Sequence, residues 1–362
     1  MSLTDLLGTA LPIIQAPMAG VQTSALAIAV GRAGGLGSLP CAMLTPAQLR
    51  AELAALHAAG LPAYNVNFFC HQPPPPDAPA EAAWRAALAP FHAEYGIDAA
   101  AIPAGAGRVP FDAVAAELLA AYRPRVVSFH FGLPEPALLA QLKAWGAVVL
   151  ASATTVAEGR WLEAHGADAV IAQGLEAGGH RGHFLEPDTD DGTPLADPVR
   201  ALSAQLGSIV LLPQLVRALR CPVIAAGGIA DAAGVAAARA LGAAGVQAGT
   251  AYLLCPEATT SAVHRAALQS PAAAHTALTT LFTGRPARGI VNRLMRELGP
   301  LSPLAPAFPT ATAAIGPLRV AAEARGSGDC SPLWAGQNAP ACRAEPAAAV
   351  TLALAAGWTA ED

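Results

Sequence analysis

Eight short apolar runs, each closed by a turn-forming or polar residue, constrain this chain more than any other feature. They are Pro12–Met18, Gly34–Leu39, Tyr64–Phe69, Arg125–His130, Ala147–Ser152, Ala169–Gln173, Cys221–Gly228 and Gly245–Thr250. None has a helical period, and the sixth is apolar throughout until its final Gln173, as expected of a strand buried on both faces. Helices are expected between them, at about 23–33, from Pro46, at 79–95, 111–122 and 135–145, after Thr155, and at 208–219 and 232–241. Pro46 suits a first helical turn. Thr155 and Asp231 suit N-caps, with Glu158 at capping-box distance from Thr155. The prolines at 73–76 require an extended loop. Strands and helices alternating at this spacing predict an α/β fold, a parallel (β/α)8 TIM barrel rather than an open sheet. The barrel is expected over residues 1–280, with an Asp- and Pro-rich inserted loop at about 185–203. Residues 281–362 fit neither pattern and read as a helical C-terminal lid or cap packed on the barrel.

Chemistry in such a barrel collects at the carboxyl ends of the strands. Those ends offer Met18, Ala19 and Gly20, Asn67, His130, Ser152, Gln173 through His180, Gly227 and Gly228, and Gln247 through Thr250. The sixth end is the richest. There AVIAQG runs into LEAGGHRGH, so an amide, close-approach glycines and an imidazole leave one strand together. Glycine-rich turns after the seventh and eighth runs suit a phosphate, held by backbone N–H groups and a helix N-terminus. The neutral amides Asn67, Gln173 and Gln247, with no carboxylate pair, suit the polar edge of a large flat ring. Flavin mononucleotide (FMN) is the cofactor that combines both features. His180 lies between glycines, where no core packing requires it, and reads as functional. His130 reads equally as a buried core imidazole or as a functional strand-end group. His57, His92, His165, His264 and His275 read as surface or structural.

Several chemistries are excluded. Lys143, the one lysine, falls on a helix between the fourth and fifth runs, so a strand-end Schiff base is absent. There is no GxxxxGK, GxGxxG, GxSxG or HExxH. His180 and His183 form an HxxH without a carboxylate ligand set, and Asp188, Asp190 and Asp191 lack EF-hand spacing and read as a solvated loop, so no metal is expected. A formal net charge of -5 with no basic run argues against nucleic acid. No charge-free apolar run reaches spanning length, so no membrane is expected. The start, Met1 to Asp5, lacks the basic region of a signal peptide. The 6 cysteines form no CxxC pair and suit reduced thiols, so a cytoplasmic location is expected.

The motifs PIIQAPMAG (from Pro12), GGLGSL (Gly34), YNVNFFCH (Tyr64), SFHFG (Ser128), AQGLEAGGHRG (Ala172), VIAAGGI (Val223), QAGT (Gln247) and SPLWAGQ (Ser331) together resemble nitronate monooxygenases, formerly called 2-nitropropane dioxygenases. The pattern is nearest the class I enzymes and runs from about residue 10 to about 340. The resemblance implies FMN-dependent, detoxifying oxidation of alkyl nitronates such as propionate 3-nitronate by O2, giving a carbonyl compound and nitrite. It implies FMN contacts from Met18, Ala19, Gly20, Asn67, Gln173, Gly178, Gly228, Gln247, Ala248, Gly249 and Thr250. His180 matches the family's catalytic histidine, the base that deprotonates a neutral nitroalkane, and His130 a second active-site histidine. Tyr252 and Trp334 are candidate substrate contacts. Trp334 stands where related sequences often carry tyrosine, and its indole offers one N–H donor in place of a hydroxyl. The acidic loop at 186–197 looks longer than the family usually shows. A monomer or homodimer with small-molecule substrates is expected. An NAD(P)H-dependent flavin reductase, of the enoyl-acyl-carrier-protein reductase II or quinone reductase type, shares the barrel and the AGGH loop but not SFHFG and SPLWAGQ. A phosphometabolite-binding barrel without redox chemistry is a further alternative. IMP-dehydrogenase-like chemistry needs a loop cysteine, and none follows the sixth run.

Overall fold

Eight parallel strands curl into one sheet, and the computed structural model describes them within residues 1–102, 108–187 and 192–359. Asp188, Asp190 and Asp191 lie outside the described residues. In chain order the strands are β1 (Ile13–Gln15), β2 (Ser38–Pro40), β3 (Asn65–Phe69), β4 (Val126–His130), β5 (Val148–Ala153) and β6 (Ala169–Gln173). A short β7 (Gly179–His180) stands outside the barrel, and β8 (Val223–Ala226) and β9 (Gly245–Ala248) complete it. The sheet order is β1-β9-β8-β6-β5-β4-β3-β2. The ring closes where Leu36 N–H donates to Ile13 O at 2.8 Å and Gln15 N–H to Leu36 O at 2.9 Å. It is the (β/α)8 barrel expected from the eight runs.

Side chains alternate along each strand between two cores. Ile14, Leu36, Leu150, Ile171 and Ile224 fill the barrel interior together with Leu3 and Leu7 of the first helix, Leu3–Leu7. Arg125, at the start of β4, donates to Asp5 O at 3.0 Å and holds that helix against the amino ends of the strands. The opposite, carboxyl end is therefore the one free to form a site. Ile13, Val66, Phe68, Val127, Phe129, Val149 and Val170 point outward against the helices. Asp231 caps its helix as expected, accepting from Gly234 N–H at 2.8 Å. Thr155 also caps, accepting from Glu158 N–H at 3.1 Å, but the Glu158 carboxylate does not close a capping box. It turns inward, accepting from Thr154 N–H at 2.7 Å and from Phe184 N–H at 2.5 Å. Burial raises its pKa, and it ties the loop beyond β6 to β5.

After β9 the chain leaves the ring and builds the cap. β10 (Thr276–Thr279) pairs antiparallel with β11 (Ala287–Ile290), and β11 pairs with β7, so the expected boundary at 280 falls between two paired strands. The helices Arg293–Leu298 and Thr312–Ala324 supply the expected helical region. They share a core of Leu281, Phe282, Leu294 and Leu318 with Trp84 and Phe91 of the helix Ala78–Tyr95, which leaves the barrel after β3. The final helix, Ala347–Thr359, returns to the ring beside the helices Ala232–Ala240 and Ser24–Arg32. Its alanines and Gly357, which meets the Ala232 backbone, permit that close approach. No helix among the described residues is long and apolar enough to cross a membrane.

Candidate active site

The cap and the carboxyl ends of the barrel strands enclose a cleft that opens to solvent at its mouth. Of the residues singled out in the sequence, Met18, Ala19, Asn67, His130, Gln173, Gly178, His180, Gly228, Gln247, Ala248, Gly249, Thr250 and Trp334 all line it. Gly20 turns the chain beside them with φ +84. Tyr252 is a correction. It is fully buried, its hydroxyl 3.0 Å from Thr351 Oγ1 in the final helix, so it fastens that helix to the barrel and does not reach the cleft.

The loop after β6 is held from both sides. Gln173 Nε2 donates to His180 O at 2.9 Å, and Gln173 Oε1 accepts from Gly182 N–H at 2.8 Å. Arg181 is fully buried and donates to Gly174 O at 2.6 Å and Gln173 O at 2.8 Å, with Gln205 Oε1 completing its fork. On the cap side, Ala287 pairs with His180, and Arg181 N–H donates to Pro286 O at 2.9 Å. His130 Nε2 lies 3.2 Å from His180 O, and a Cβ on Gly182 would meet the His130 ring at 2.7 Å. His130 is thus in the cleft wall and supports the His180 backbone.

The imidazole of His180 sits among Phe69, Phe131, Phe308 and Trp334, with ring centroids 5.3–6.1 Å away. Its Nε2 lies 3.0 Å from Thr283 Oγ1, which itself donates to Arg285 O at 3.3 Å. The hydroxyl can donate to Arg285 O while accepting from Nε2–H, and in that arrangement Nδ1 keeps the lone pair. Burial, reinforced by Arg108, holds the His180 pKa well below its ordinary value. Burial likewise brings His130 down to about 3, and His71 and His264 to about 4. Neutral His180 can accept a proton from carbon, but it brings no charge to an anion.

The turn after β8 has Gly227 at φ +116 and Gly228 at φ +74, which side chains rarely adopt. The cap is stitched to it: Asn338 Nδ2 donates to Gly228 O at 3.1 Å, and Gly336 N–H donates to Thr250 Oγ1 at 3.0 Å. Gly178 packs against this segment, and a Cβ there would meet Gly336 N at 2.5 Å. Opposite, Gln247 Oε1 is buried with no hydrogen-bond partner. A buried amide oxygen facing a cleft without a donor marks a missing polar ligand. Glycine turns for a phosphate and an unsatisfied amide for a ring edge fit a flavin.

Sequence reasoning missed Arg108, Phe308, Thr283 and His264, all of which build this site. His264, read from the sequence as surface or structural, is buried and lines the cleft. A weak signal existed for Thr283 alone, through the glycine that follows it.

Comparison with known proteins decides the family. The family model for nitronate monooxygenase matches residues 1–353. The chain belongs to the nitronate monooxygenase family. It is 43% identical to a nitronate monooxygenase of Pseudomonas aeruginosa over 350 residues, covering 95% of each chain. A nitronate monooxygenase of Paraburkholderia phytofirmans is 42% identical, covering 98% of this chain and 93% of its own. Among solved structures, nitroalkane oxidase from Streptomyces ansochromogenes superposes with a TM-score of 0.86 at 39% identity, covering 99% and 97% of the two chains. FabK from Thermotoga maritima superposes with a TM-score of 0.69 at 25% identity, covering 99% and 96%. Nitronate monooxygenases are flavin-dependent oxidoreductases, so this chain is an enzyme of that class.

Proposed function

We propose that this enzyme binds FMN and oxidises alkyl nitronates, such as propionate 3-nitronate, with O2 to a carbonyl compound and nitrite. The observation that carries the reading is the neutral His180, its Nδ1 lone pair free, in a cleft lined by amides and glycine turns. Gly228, Gly249 and Thr250 would hold the phosphate. Met18, Ala19, Gly20, Asn67, Gln173, Gly178, Gln247 and Ala248 would hold the ring and its tail. Bound there, FMN supplies the electron acceptor for the nitronate and the route to O2. The chain's own contribution is positional and acid–base. Gln173 and Arg181 fix the loop, Thr283 fixes the His180 tautomer, and Nδ1 takes the α-proton from a neutral nitroalkane. The aromatic wall of Phe69, Phe131 and Phe308 excludes water from that proton transfer.

Anaerobic titration of the purified holoprotein tests the reading. Propionate 3-nitronate should bleach the flavin absorbance while NADH leaves it unchanged. Bleaching by NADH alone would assign the enzyme to the flavin reductases that share this barrel.

A further inference from the structure

The cleft contains a cation that nothing among the described residues neutralises. Arg108 lines it just ahead of the helix Ala113–Tyr122, beyond the helix Ala78–Tyr95 that follows β3. Its backbone is pinned there, because His71 Nε2 donates to Arg108 O at 3.1 Å and Phe111 N–H donates to Phe69 O at 2.8 Å. Its Nε is buried without a partner, and among the described residues the guanidinium has neither a hydrogen bond nor a carboxylate. Its guanidinium carbon lies over the Phe308 ring, 5.5 Å from the centroid, and the same ring stands 5.3 Å from the His180 imidazole. The second guanidinium nearby, Arg285, donates to His183 O and stacks 4.1 Å over Phe131; its Nε is also unpartnered, but the side chain is not part of the cleft lining. A half-buried guanidinium whose Nε is sealed from water without a partner leaves a donor for an anion to complete. Since His180 is neutral, the charge that attracts an anion must come from elsewhere in the wall.

We propose that Arg108 is the anion-binding residue of this cleft, and that its guanidinium receives an oxyanion of the substrate beside His180. The planar fork matches the two oxygens of a nitronate or of a carboxylate on the same molecule. This inference rests on the proposed nitronate chemistry for the identity of the substrate, but not for the presence of an anion site.

Calorimetric titration of the holoprotein with nitrate, a planar oxyanion, and with propionate separates the two. Arg108→Gln should weaken binding of one or both by about 10- to 100-fold, and Arg108→Lys should recover part of the loss. Arg108→Met keeps an unbranched apolar stem without the charge and serves if the glutamine variant does not fold. In turnover, a KM raised on ethyl nitronate and propionate 3-nitronate alike places Arg108 at the nitronate head. A KM raised only on propionate 3-nitronate places it at the carboxylate. Wild-type protein that binds neither anion, a variant that binds both as tightly as wild type, or loss of kcat at unchanged KM would each overturn the proposal. Anion binding through Arg108 in a protein that oxidises no nitronate would overturn the proposed function and leave the anion site standing.

Discussion

Thr283→Val removes one hydroxyl and keeps the side-chain shape, so it isolates what the threonine does for His180. In the native site Thr283 Oγ1 accepts from Nε2–H at 3.0 Å and donates onward to Arg285 O at 3.3 Å. Valine offers no acceptor, and the neutral ring is then free to place its proton on either nitrogen. A net hydrogen-bond contribution of about 0.5–1.5 kcal/mol corresponds to a tautomer ratio of about 2:1 to 12:1, so a ring left without preference loses the correct form by a factor of about 1.4 to 1.9. The loss falls only on the step that uses the Nδ1 lone pair. Steady-state kcat/KM should therefore drop by about that factor on neutral nitroethane and stay near wild type on ethyl nitronate, which has already lost its proton. Equal losses on both substrates would mean that Thr283 shapes the cleft and does not fix the base. No loss on either would remove the tautomer assignment.

Two further outcomes follow from the same site. His180→Asn should retain its flavin and lose about 100-fold or more on nitroethane, with a far smaller loss on the nitronate; equal losses would leave His180 a binding group. Stability should fall with acidification, because burial holds His130 near 3, His71 and His264 near 4, and His180 and His183 well below 6.5. A folded-state histidine pKa below its unfolded value means that the unfolded chain binds more protons, so stability is complete above about pH 6.5 and lost as pH falls towards 4. The slope is at most about 1.4 kcal/mol per pH unit for each histidine. Glu158, raised by burial, opposes this as a single group. Urea unfolding at pH 7, 6 and 5 reads the effect, and a constant midpoint would refute it.

The barrel was legible because its strands are buried on both faces and their ends carry glycines and amides that no packing rule requires. The cap was only half legible. β10 and β11 are short and carry little period-2 contrast, and the two residues of β7 are glycine and histidine, so their pairing comes from tertiary contact and not from local preference. Glu158 stood at capping-box spacing, yet the buried Phe184 and Thr154 amides bound its carboxylate more completely than the exposed N-cap would. Tyr252 was ambiguous for a simple reason. A tyrosine just past a strand end faces the cleft or the helix ring according to the turn between, and the 3-10 turn at Thr250–Tyr252 rotates it into the ring. Arg108 follows a proline-rich stretch and a long helix, where sequence spacing carries no information about which loop will fold back over the strand ends.

One pairing links the cap to the chemistry. His180 belongs to a barrel loop, but the strand it forms is completed only by β11 of the cap, through Ala287 opposite His180 and Arg288 opposite Gly179. The cap in turn is joined to the ring covalently at both ends, where it leaves β9 and where the chain returns at Ala347. It cannot swing on a single hinge, and any displacement large enough to open the cleft from above must unzip β7 from β11. Opening would then carry Thr283, which lies on the cap between β10 and β11, away from the His180 imidazole, which stays on the barrel loop. Admission of solvent and disarming of the base are a single mechanical event, so an uncovered cleft is also one without a correctly held base.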